Sequence, residues 1–121
     1  MSFDNLPKDL KEYINYEEGL ARLRGNKMIY SKTLEIFLRT KEFDSLKEAL
    51  EENDLKKADY AAHTIKGAAG NLSIAKIYEI SSTLHEEFSQ GIRSDDKVSE
   101  LFEANEKTRD YIALLIEALA D

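Results

Sequence analysis

The chain has no cysteine and no tryptophan, and only one proline and five glycines in 121 residues. Without cysteine there are no disulfides, no thiolate metal ligands and no thiol nucleophile. A reducing compartment is compatible with that, and the cytoplasm is the expected location. So little proline and glycine leaves few places where a helix must break. Positive charge is also in deficit: 17 Lys and Arg stand against 24 Asp and Glu, a formal net charge of −7. Nucleic acid and anionic membrane surfaces want a basic face, so neither is expected as a partner and a protein is. Nowhere do the ~18 consecutive apolar residues of a membrane span occur, and the first twenty residues hold no apolar stretch of signal-peptide type. No glycine-rich phosphate loop of P-loop or kinase type is present, which argues against a bound ATP. At this length the expectation is one domain, residues 1–121, with one core.

What the chain does have is abundant Leu, Ala, Glu and Lys in helical spacing. Pro7 suits a first helical turn, and Leu6, Leu10, Tyr13 and Ile14 suggest a short leading helix. Leu20 and Leu23 continue the apolar spacing until Gly25-Asn26, which reads as a turn. Tyr30, Leu34, Phe37 and Leu38 mark one amphipathic helix; Leu46, Ala49 and Leu50 mark a shorter one. Asp54 can cap the next, where Leu55, Ala58, Ala62, Ile65, Ala69 and Leu72 form an apolar stripe one face wide. Asn71 and Ser73 read as stop and start residues before a helix buried through Ile74, Ile77, Ile80 or Ser81, Leu84 and Phe88. Gly91 to Asp96 reads as a polar loop. Val98, Leu101, Phe102, Asn105, Ile112, Leu115, Ile116 and Leu119 describe a long final helix. The expected fold is all-α: an antiparallel up-and-down four-helix bundle with an additional short N-terminal helical segment.

A second line on the Ala62 helix carries the chemistry. It runs through Lys56, Asp59 or Tyr60, His63, Lys66 with Gly67, and Gly70, so that His63 has an ammonium and a residue without a side chain one turn on. Interior glycines cost about 1 kcal/mol each relative to alanine, so Gly67 and Gly70 imply that something close needs the room. Gly70, near the hairpin turn, is explained by helix packing; Gly67 lies on the His63 face, where an approaching macromolecule is the simplest beneficiary. Neutral imidazole, with an ordinary pKa of about 6.5, is a good nucleophile near neutrality without a dedicated base. Phosphoryl transfer to a ring nitrogen needs mainly in-line positioning and charge compensation. Lys66 can supply the compensating charge, and a hydrogen bond at the other nitrogen would hold the ring.

Ala62-His63-Thr64-Ile65-Lys66-Gly67-Ala68-Ala69-Gly70-Asn71-Leu72 resembles the signature of histidine-containing phosphotransfer (HPt) domains of two-component phosphorelays. Glu17-Glu18-Gly19-Leu20 through Gly25-Asn26, then Tyr30, Leu34 and Phe37, resembles the family's leading region. Ile74-Ala75 with Ile77 and Leu84 resembles its following helix, so the similarity spans roughly residues 14 to 90. The resemblance implies that His63 accepts a phosphoryl group from a receiver-domain aspartate and passes it to another. It implies a carrier with no catalytic activity alone and no cofactor of its own, the Mg2+ belonging to the receiver. Implied partners are response-regulator receiver domains and a hybrid or other sensor histidine kinase, and the implied state is a monomer. Two positions depart from the pattern: Ser73 stands where many members have glycine, and His85 where relatives often have glutamine or an acidic residue beside the active imidazole.

Gly67, Gly70 and Tyr60 are the candidate docking residues, Tyr60 sitting one turn before His63, although aromatics at helical spacing more often belong to a core. His85 is a candidate for orienting His63. Two imidazoles without a third ligand make a poor metal site, and no metal is expected. Two other functions fit the same residues. One is the phosphoacceptor domain of a chemotaxis-type kinase, fed directly by an ATP-dependent kinase domain; such domains often carry an aromatic after the lysine-glycine pair, and residues 68 to 74 contain none. The other is a helical interaction scaffold without phosphoryl chemistry.

Overall fold

Helices in this chain begin where a short polar side chain can satisfy a free backbone donor. Asn15, Asn26 and Asp54 each accept a hydrogen bond from the N–H three residues on, at 3.3, 3.1 and 3.1 Å. In the computed structural model, which describes residues 3–120, these caps open α2 (Tyr16–Arg22), α3 (Lys27–Leu38) and α5 (Leu55–Asn71). A single 3-10 turn at Phe3–Asn5 and the one-turn α1 (Leu10–Tyr13) precede them; α4 (Glu42–Glu51), α6 (Ala75–Ser89) and α7 (Asp95–Leu119) complete the order. Among the described residues there is no strand.

α5 and α6 form the central hairpin. α4 lies on α5, α7 lies on α6 and α3 closes back onto α7, while α1 rests across α6 and α7. One buried cluster runs from Leu10 to Leu119. The α5 stripe is buried at Ala58, Ala62, Ile65 and Ala69, and Ala61 joins it. On α6, Ile80 and Ser81 are both buried, so the two alternatives for that position are both part of the inward face. Phe43 binds the corner between α3 and α4 to the last helix, with edge contacts to Phe37 and Phe102 at 6.2 Å each.

Two boundaries differ from the sequence reading. The polar loop before α7 ends at Ser94: Asp95 and Asp96 enter the first turn of the helix, where carboxylates favour the positive end of the helix dipole. Arg93 Nε bonds Asp95 at 2.8 Å across that start. At the α5–α6 turn, Ser73 is not the cap of α6; Ile74 takes that place. Ser73 sits at φ 58°, and the crossed bonds Ser73 N–H to Gly70 O (3.3 Å) and Ile74 N–H to Ala69 O (2.9 Å) close α5 as a Schellman motif. Ser73 thus occupies a left-handed position of the kind that ordinarily favours glycine.

Serine compensates by tying in the leading segment. Its hydroxyl donates to Glu18 Oε1 at 2.8 Å and its carbonyl accepts from Asn15 N–H at 2.8 Å. Beside this, the fully buried Tyr30 donates its hydroxyl to the Leu72 carbonyl at 2.8 Å. Burial, and then the negative charge of Glu18, push the Tyr30 hydroxyl well above its ordinary pKa, so it remains a donor. Gly19 makes room for that ring: a Cβ there would collide with the Tyr30 hydroxyl and lie only 2.7 Å from its Cε1. Gly19→Ala is therefore expected to lower stability by about 1–3 kcal/mol through overpacking, read by urea denaturation. At an open helical position the same change gains about 1 kcal/mol, so an unchanged or raised midpoint would show that Tyr30 does not need the space.

Candidate functional site

α5 presents its small residues to the core and turns its second line outward. His63 is exposed at mid-helix, one turn before Lys66 and Gly67. These residues border an open groove of about 880 Å³ that runs between α5 and α6. Its α6 wall includes Tyr78 and Glu79, and Asn15, the cap of α2, closes one end with Glu18 and Arg22 of that helix. The clasp of α2 onto Ser73 is what brings that end wall into place.

The two glycines of α5 differ in their surroundings. Around Gly67 an added Cβ would meet nothing within 4 Å, so the space beside His63 is open to whatever approaches from outside. At Gly70 an added Cβ would lie 3.0 Å from Tyr78 Cε1, so this glycine lets an aromatic ring cross α5 closely while also lining the groove. Tyr78 is 43% exposed, and the Lys66 ammonium lies 6.0 Å from its ring centroid, the outer range of a cation–π contact. Sequence reasoning did not single out Tyr78. Its only signal is that it falls between Ile77 and Ile80, off the buried stripe. Tyr60 is 72% exposed and belongs to no core; it stands in solvent one turn before His63, its carbonyl accepting from Thr64 Oγ1 at 3.1 Å.

The hairpin brings the chain's two histidines together. The His63 and His85 rings lie 4.8 Å apart, centroid to centroid, inclined at 46°. The expected hydrogen bond holding the His63 ring is not formed by any described residue; its close neighbour is the second imidazole. His85, half-buried on α6, is itself held: its Nδ1 hydrogen-bonds the Asp59 carboxylate from α5. Asp59 is four residues before His63 and so shares its face. The sequence places Asp59 on the His63 line, but not its partner, which comes from a helix 26 residues away.

Among the described residues, no group of three or more His, Cys, Asp or Glu side chains is arranged to hold a metal ion. No described helix is long and apolar enough to cross a membrane. A family model described as Hpt domain matches residues 34–121. The match takes in α7, which the motif-based resemblance did not reach, and starts after the leading segment, which it did. No curated protein and no solved structure matches significantly.

The two glycines should respond in opposite ways to alanine. Gly67→Ala is expected to raise stability by about 1 kcal/mol, because the helix gains its better former and no neighbour is displaced. Gly70→Ala should gain nothing or lose stability, because the Tyr78 ring must give way. Thermal unfolding of the two variants side by side measures the difference, and equal shifts would refute the distinction.

Proposed function

The chain belongs to the Hpt domain family, and we propose that it acts as a phosphohistidine carrier in which His63 takes a phosphoryl group from one receiver-domain aspartate and delivers it to another. Hpt domains serve histidine phosphotransfer in phosphorelays and work with response-regulator receiver domains and kinases. The observation that carries the assignment to His63 is its exposure beside the open space over Gly67. A nucleophile that receives phosphoryl from another protein must be reachable in line by that protein's phosphoaspartate.

In this reading the other residues have defined tasks. Lys66 compensates charge on the phosphoryl oxygens. Gly67 leaves clearance for the receiver, Tyr60 and the groove-lining Gly70 contribute to its docking surface, and His85 orients the His63 ring. Residues 1–121 act as one cytoplasmic, monomeric carrier without an ATP site or cofactor, and the Mg2+ that assists the chemistry stays with the receiver. The net charge of −7 favours a partner that presents basic or apolar surface around its aspartate.

The test is transfer from a receiver domain loaded with a small phosphodonor to the protein and to its His63→Gln variant, read by intact mass and by acid lability. An acid-labile, alkali-stable adduct on the wild type, absent from the variant, is expected. Lys66→Met should keep the adduct but slow its formation about 10- to 100-fold. Modification of the variant, or no transfer from any of several receivers, would overturn the carrier reading. An ATP-loaded histidine kinase domain would then separate a kinase-fed acceptor from a scaffold.

A further inference from the structure

Asp59 and His63, one turn apart on α5, both face His85 of α6, which hydrogen-bonds the carboxylate and has its ring centroid 4.8 Å from that of His63, a chain of contacts across the α5–α6 interface. An ionised carboxylate only accepts, so the proton in the first contact belongs to His85 Nδ1. Neutral His85 therefore carries its lone pair on Nε2, a nitrogen with no protein partner among the described residues. The order matters: the carboxylate is bound to the second imidazole and does not reach the first.

On α5 and α6 themselves few other ionisable groups lie within a turn of these residues. On α6 the positions one turn from His85 are Ser81, Ser82, Phe88 and Ser89, and the adjacent Glu86 is exposed. On α5 the ionisable residues one turn from Asp59 or His63 are Lys56, Tyr60 and Lys66. Asp59 is thus the one carboxylate on α5 within a turn of His63, and it is committed to His85.

Phosphorylation gives such a chain of contacts something to do. A neutral His63 ring attacks phosphorus through its unprotonated nitrogen; the N–P bond forms as the P–O bond to the donor's aspartyl carboxylate breaks, and that carboxylate leaves with the electron pair. The other ring nitrogen still bears its proton, so the phosphorylated ring is cationic and is a good leaving group. Losing that proton makes the adduct persist, and regaining it readies the phosphoryl group for departure. We propose that Asp59 and His85 form a proton relay for this cycle. His85 Nε2 takes the proton that His63 sheds on phosphorylation, Asp59 compensates the charge that His85 gains, and delivery to the acceptor aspartate hands the proton back. Asp59 touches no reacting atom and is a positioning residue. The inference rests on His63 being the phosphoacceptor.

Two measurements test it. In the unmodified protein, long-range 1H–15N correlation of the imidazoles should show neutral His85 protonated at Nδ1. Asp59→Ala should return it to the Nε2–H form that free histidine favours, and this readout needs no phosphoryl chemistry. In single-turnover transfer from phosphorylated His63 to a receiver, Asp59→Ala and His85→Gln should each slow the step about tenfold. The double variant should be no slower than either alone, as residues acting in series require. Rates are compared per molecule loaded at His63, and urea denaturation of each variant separates loss of fold from loss of relay. An Nε2–H form of His85 in the wild type, single variants within twofold of it, or fully additive slowing would overturn the relay while leaving the carrier intact. Absence of any adduct on wild-type His63 would overturn both.

Discussion

The packing of α5 against α6 is the constraint on which the other features of this protein depend. The fully buried residues of α5 are alanines apart from Ile65, while α6 presents Ile77, Ile80, Leu84 and Phe88. Small residues facing large ones let two helices interdigitate without voids. Because the pair is antiparallel and joined by a tight Schellman turn, its register is set, and residues 22 apart in sequence, His63 and His85, meet as neighbours. The site therefore owes its geometry to core packing on the opposite side of the same helix.

The leading segment serves this hairpin. Asn15 and Glu18 bind the backbone and hydroxyl of Ser73, Tyr30 binds the carbonyl of Leu72, and Gly19 leaves space for the tyrosine. A serine held at φ 58° carries strain that glycine would not. The hydroxyl bond to Glu18 offsets part of it and also fixes α2 as the end wall of the groove. The residue at this turn thus couples backbone conformation to the outline of the groove.

The outward line of α5 holds an imidazole, a lysine and an opening on a regular helix, with no loop needed to position them. Backbone hydrogen bonds fix the helix, so His63, Lys66 and Gly67 have fixed spacing and the imidazole needs no scaffold of its own. The space over Gly67 is open to solvent, and on the function proposed here the receiver domain fills it. The proposed division of labour rests on this: the partner brings the phosphoryl group, and the helix brings a nucleophile with charge and access around it.

By itself the sequence determined whatever depends on spacing within one helix. The turn at Gly25-Asn26, the cap at Asp54, the buried stripes of α5, α6 and α7, and the shared face of His63, Lys66 and Gly67 are all legible because turn chemistry and helical periodicity are local. The Hpt signature is equally local, eleven consecutive residues on and just past one helix. Tertiary structure decided what depends on which helices meet and in what register. It gave Gly70 to Tyr78, exposed Tyr60, and placed Ser73 in a left-handed turn that two α2-side residues hold. It also tied His85 to Asp59, a pairing that the spacing of neither residue announces, since contact between two helices is fixed by the packing of their buried faces and not by any pattern within either one.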